Sequence, residues 1–173
     1  MIFRLSQKLA KKIKADELRE LPLHNNPYAD WSSHVFVVKR TQYILLCNTP
    51  SLYSCVMYGS GTTSDDVFIN RAMDTLREFM ADDGQLFAYQ KFIVSTMATV
   101  SFAKTLNRSV TGSMNELILA AQHALVSGAI SPHDVGFDLN DSLLSAIAAD
   151  KAEGYVKPRE AFKRLRIESC DRA

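Results

Sequence analysis

Cysteine is scarce in this 173-residue chain, and the three present, Cys47, Cys55 and Cys170, form no CxxC pair. An odd count with no paired spacing argues against a disulfide framework. Cys47 and Cys55 lie in apolar runs and are expected in the core. No apolar run approaches ~18 residues, so the sequence offers no membrane-spanning helix and no membrane partner. The opening Met1 to Lys14 interleaves lysines with apolar residues and lacks the apolar stretch of a signal peptide. Cytoplasm is therefore the expected location. Charge of one sign is missing too. Twenty Lys and Arg face nineteen Asp and Glu, a net charge of +1, so no global field draws nucleic acid or an anionic surface.

Motifs for cofactors are also lacking. There is no GxGxxG, no phosphate loop ending in Gly-Lys-Ser/Thr and no GxSxG elbow, so no cofactor is expected. The histidines, His24, His34, His123 and His133, are scattered without zinc-ligand spacing, and no metal site is expected. A serine triad finds no local base: His123 lies ten residues beyond Ser113 in the same expected helix, ~15 Å along its axis.

What is present is an ordinary globular composition, 47% apolar and 23% charged, enough for one well-buried core. The reading is a single domain over 1–173, frayed from about 168. Ile2 to Leu5 reads as a strand. Ser6 caps a helix to about Lys14 whose stripe is Leu5, Leu9 and Ile13. Residues 16–30 form a connector rich in turn chemistry. Segments 34–39 and 42–47 are β-branched and aromatic, joined at Arg40-Thr41, and Leu52 to Tyr58 supplies a third strand. Apolar residues on both faces of these strands fit a sheet covered on both sides, or central strands with one tightly filled face. Thr62-Thr63-Ser64-Asp65-Asp66 opens a long helix, capped by its hydroxyls, that follows a 3.6 period and ends at Gly84. Residues 85–94 fit either helix or strand, and 99–104 alternate as a strand. Residues 131–134 read as a turn, Asn140 or Asp141 as the cap of a short helix to about Ala149, and Pro158 as the first turn of a last helix. Strands and helices are segregated, which predicts an α+β fold: a mainly antiparallel sheet of four or five strands with helices packed on it.

The densest polar run is Asn107 to Glu116. Ser113 with Glu116 has capping-box spacing before an apolar helix from Leu117. Read as a strand-to-helix turn, it makes Asn107, Arg108, Ser109, Ser113 and Asn115 candidate ligands for a phosphate or carboxylate, with Trp31 as a stacking wall. The same side chains can instead tie the local backbone into a lock between strand and helix.

Ile2 to Leu9, Asp30-Trp31, Gln42 to Asn48, Asp134 to Phe137, Leu139-Asn140 and above all Asn107-Arg108-Ser109-Val110-Thr111-Gly112-Ser113-Met114-Asn115 carry a resemblance. The chain resembles a bacterial family of uncharacterised proteins, some of them associated with plasmids and other mobile DNA. The resemblance implies one domain and no assigned activity.

Three functions compete. Ordinary charge and the lack of cofactor motifs favour a non-catalytic binding or regulatory module, acting on another protein or on itself as a homodimer. An enzyme working on a phosphate-bearing small molecule or nucleic acid through the Asn107–Asn115 turn is the alternative. An accessory nucleic-acid binder using basic residues 8–14 and 163–166 is the third; nucleic acid is possible but not the favoured partner.

Overall fold

The computed structural model describes residues 1–144 and 154–167. Its centre is a five-stranded sheet in the order β4-β3-β2-β1-β5, with β1 Ile2–Leu5, β2 Asp30–Val38, β3 Thr41–Asn48, β4 Ser54–Tyr58 and β5 Ser101–Lys104. Helices α1 Gln7–Ile13, α2 Asp65–Asp82, α3 Leu86–Ala88, α4 Arg108–Leu125, α5 Pro132–Asp141 and α6 Pro158–Lys163 surround it. The architecture is α+β, and the sheet is mixed rather than mainly antiparallel. β2, β3 and β4 form an antiparallel meander, but β1 pairs in parallel with both β2 and β5. Parallel neighbours need crossovers. The first runs from β1 through α1 and the connector, the second from the meander through α2 and α3. Both put distant residues side by side, which segregation of strands along the chain conceals.

Each face carries its own core. Phe3, Leu5, Trp31, Val35, Ile44 and Cys55 face α1, α2 and α6, while Phe36, Val38, Leu45, Cys47 and Val56 face α4 and α5. This double cover explains apolar residues at successive positions of β3, Ile44 to Cys47, all fully buried. Burial also pushes the Cys47 thiol up to about 12, so both buried cysteines behave as packing residues.

Local signals explain most helix ends. Ser6 accepts from Leu9 N and Ser64 from Val67 N, both as N-caps. Pro158 opens α6, whose Phe162 is fully buried. Residues 86–96 resolve as helical: α3 continues through a π turn, Tyr89–Ile93, and a 3-10 turn, Val94–Thr96. The hairpin turn is Lys39-Arg40, one residue earlier than expected, with Lys39 in the left-handed region at φ 53°. Residues 131–134 are not a free turn; Ser131 caps α5 and Asn140 lies inside that helix, fully buried, rather than capping the next. The expected helix to Ala149 and the frayed end from 168 fall outside the described residues.

One buried polar group organises the β1 side. Arg4, 1% exposed, forms a bidentate pair with fully buried Asp30, both bonds 2.8 Å. Its remaining N–H groups donate to the carbonyls of Leu21, Pro22 and Lys104. The guanidinium thus ties the connector to β1 and β5, with no donor left for a ligand.

Both sheet edges are partly closed. Arg19 bridges Ala103 beside β5, with Lys104 N donating to Arg19 O at 2.9 Å. At the other edge α5 lies along β4. Asn140 accepts from Ser54 N at 2.7 Å and donates to Ser54 O at 2.8 Å, standing in for one residue of a missing strand. Gly136 lets α5 pack closely on α2: a Cβ there would lie 2.5 Å from Phe79 Cε2.

Candidate functional site

The Asn107 stretch is helix, not loop. α4 begins at Arg108, and Asn107 is its cap, accepting from Val110 N at 2.9 Å. The Ser113–Glu116 capping box therefore does not form. Val110, Met114, Leu117, Ile118, Ala121 and Leu125 make one 3.6-period stripe on the sheet, and it extends the helix upstream past the small polar residues. Their hydroxyls turn inward to the helix backbone, Thr111 Oγ1 to Asn107 O and Ser113 Oγ to Ser109 O. Ser113 is buried, whereas Arg108, Ser109 and Asn115 are exposed on the outer face. Arg108 and Asn115 sit seven residues apart, ~10 Å along the axis. These side chains fan outward and do not converge on one point.

Trp31 is placed elsewhere. It is fully buried in the core under α6, its indole N–H donating to Tyr28 O at 2.8 Å and its ring 6.4 Å from that of Phe162. A sealed indole offers no stacking wall to a ligand. Lys12 and α6 lie toward opposite ends of β2. Lys12 reaches Gln42, which pairs with Val37 near one end of β2, while α6 packs on Trp31 near the other. Six residues of strand separate those points, about 20 Å.

The structure does gather polar groups in a groove between α2, β4 and the start of α5. Its volume is about 500 Å³, and it borders a second hollow of about 710 Å³ through Glu78 and His133. Residues Arg71, Asp74, Glu78 and Asp82 recur at three- and four-residue intervals, one exposed stripe of α2. Arg71 Nη1 donates to Ser60 O at 2.5 Å and to Thr62 Oγ1 at 3.2 Å, fixing the loop after β4. His133 Nε2 lies 3.0 Å from Asp82 Oδ2, with its ring edge-on to Phe79 and Phe137. Among the described residues no group of three His, Cys, Asp or Glu side chains gathers to hold a metal ion.

At the C-terminal end of α2, Asp83 does more than complete a helix end. Its buried carboxylate accepts from Tyr53 Oη at 2.6 Å and pairs with Arg159. A carboxylate at a helix C-terminus opposes the macrodipole; here the Arg159 guanidinium compensates it and ties α6 to α2. Burial pushes the Tyr53 hydroxyl far up, and the Asp83 carboxylate adds to the shift, so this tyrosine stays protonated as a donor.

The groove's floor is the outer edge of β4. In the sequence, the residues of α2 read only as a 3.6-period helix, and His133 as part of a turn. The missing signal was which strand ends the sheet. Among the described residues no helix is long and apolar enough to cross a membrane.

No curated protein and no solved structure matches the chain. Residues 2–161, nearly the whole fold described above, match the family described as Domain of unknown function (DUF6933), and the chain belongs to that family.

Proposed function

We propose that this protein is a non-catalytic binding module that acts through protein–protein contacts, and that the groove between α2, β4 and α5 is its binding face. The observation that carries the reading is the incomplete closure of the β4 edge. Asn140 satisfies Ser54 alone, and the groove runs past buried Val56 to exposed Tyr58. Exposed strand edges are ordinarily blunted or covered, because they template pairing with another chain. Here half of the edge is covered and half is flanked by charged side chains. Tyr58 adds a large exposed ring at 56%, tilted against that of Tyr43 with centroids 5.4 Å apart, the kind of rigid aromatic that anchors interfaces.

The enzymatic alternative has less support, since Asn107, Arg108, Ser109, Ser113 and Asn115 do not converge. The test is a displayed random-peptide library selected on the folded chain, with Asp74→Lys/Glu78→Lys as the counter-target. Enrichment of sequences that the groove variant fails to hold is expected. Enrichment that survives the double substitution, or none at all, sinks the reading.

A further inference from the structure

The hydrogen-bond parity of β4 can be worked out from its ends. Asn48 N donates to Tyr53 O at 2.7 Å and Gly59 N to Gln42 O at 2.7 Å, so these are hydrogen-bonded pairs of the β3–β4 ladder. Bonded and non-bonded pairs alternate in an antiparallel ladder. Ile44↔Met57 and Leu46↔Cys55 are therefore bonded, and Tyr43↔Tyr58, Leu45↔Val56 and Cys47↔Ser54 are not. The N–H and C=O groups of Ser54, Val56 and Tyr58 must then point away from β3. Ser54 confirms the parity, because Asn140 meets both of its outward groups. Among the described residues nothing does the same for Val56 and Tyr58. Val56 is only 2% exposed, and a buried backbone pair ordinarily finds a partner.

We propose that the open half of β4 receives an extended, basic segment of a partner protein as an added strand, its alternate basic side chains meeting Asp74 and Glu78. This deepens the binding reading above and rests on it. The charge of the groove selects the occupant. Arg71 is engaged with Ser60 and Thr62, whereas Asp74 and Glu78 remain exposed beside the edge. Glu78 has only a loose 3.7 Å contact with exposed Arg77. α2 runs along β4 in the opposite sense, with Arg71 at Ser60, Thr75 at Met57 and Phe79 at Tyr53. Asp74 and Glu78 are one helical turn apart, ~6 Å along the axis. Alternate residues of a strand repeat every ~6.6 Å, so two basic side chains at positions i and i+2 match the two carboxylates. A second copy of the chain fits less well. Symmetric β4–β4 pairing would bring Asp74 and Glu78 of both copies to one seam.

The test uses fluorescein-labelled acetyl-Thr-Lys-Val-Lys-Val-Thr-amide, its glutamate counterpart, and two N-methylated forms, each blocking one alternating set of amides. Fluorescence anisotropy against the full chain should show binding of the lysine peptide at least ~10-fold tighter than of the glutamate peptide, weakening with salt. One N-methylated set should abolish binding and the other spare it, because only one set faces β4. Asp74→Lys/Glu78→Lys should reverse the charge preference. Tyr58→Pro removes an outward N–H without touching the β3 ladder and should weaken binding several-fold. Equal affinity for both charges, equal effects of the two N-methylated sets, or no binding at millimolar peptide overturns strand addition. So does self-association through β4 in sedimentation runs. Groove-dependent library peptides that fail the N-methyl test would leave the binding module standing and remove only the strand.

Discussion

Asn140→Ala is the sharpest probe of how this sheet ends. The side chain is fully buried and makes two short bonds to one residue of the edge strand, at 2.7 and 2.8 Å. Alanine removes both and leaves Ser54 N and O facing a cavity. An orphaned buried backbone group costs about 1–3 kcal/mol, so the pair is worth about 2–6 kcal/mol, with entry of water setting the lower end. In a chain of this size 1 kcal/mol moves Tm by ~2–4 °C, which gives a loss of roughly 4–24 °C. Trp31 is the only tryptophan and is fully buried, so its emission reports global unfolding in urea. The expected result is a lower midpoint with an unchanged slope, since the unfolded surface is nearly the same. Asn140→Asp keeps the acceptor but loses the donor and buries a charge, so it should be at least as damaging. A shift below about 0.5 kcal/mol for Asn140→Ala would refute the claim that this amide completes the edge.

Four further outcomes follow from the same geometry. Gly136→Ala should cost about 1–3 kcal/mol by pressing on Phe79, and a double-mutant cycle with Phe79→Leu should recover part of it. Arg4→Met should cost about 3–5 kcal/mol in urea unfolding, because it strands the buried Asp30 carboxylate, and Arg4→Met/Asp30→Asn should cost less. Burial, and secondarily Lys8, hold His34 below its ordinary value, so the unfolded chain binds the proton more tightly. Stability from this group is full above about pH 6.5 and falls as pH drops below it; His34→Gln should flatten that slope in urea titrations at pH 7 and 5, leaving the part due to His24, which shifts the same way. Asn107→Ala should cost about 1 kcal/mol as a lost helix cap, while Arg108→Ala and Asn115→Ala stay within about 0.5 kcal/mol; a large loss at Arg108 would contradict its outward placement.

Local chemistry made much of the fold legible and failed where partners are distant in sequence. Ser6, Ser64 and Pro158 mark helix starts because each acts within one turn of itself. The meander was readable for a similar reason: β2, β3 and β4 are neighbours in sequence and carry β-branched runs. β1 was readable as a strand but not as the sheet's parallel centre, since its partners β2 and β5 begin 25 or more residues away. Arg4 was hidden by the same distance; only the crossover brings Asp30 and the Leu21 and Pro22 carbonyls around it. Asn107 to Asn115 misled in the opposite direction. Serine, threonine, glycine and asparagine favour turns by propensity, but the Val110, Met114, Leu117 stripe packs on β2 and β3, and burial outweighs a few tenths of a kcal/mol per residue. Asn140 looked like a cap because asparagine often is one. It is instead the side chain that ends a sheet, and its bond pattern is what assigns the parity of β4. From that parity, Val56 and Tyr58 become the unpaired positions and the α2 stripe becomes the wall of a groove. A wet helix face beside a paired strand would be mere solvation; beside two outward backbone pairs it sets the charge of whatever strand can be added.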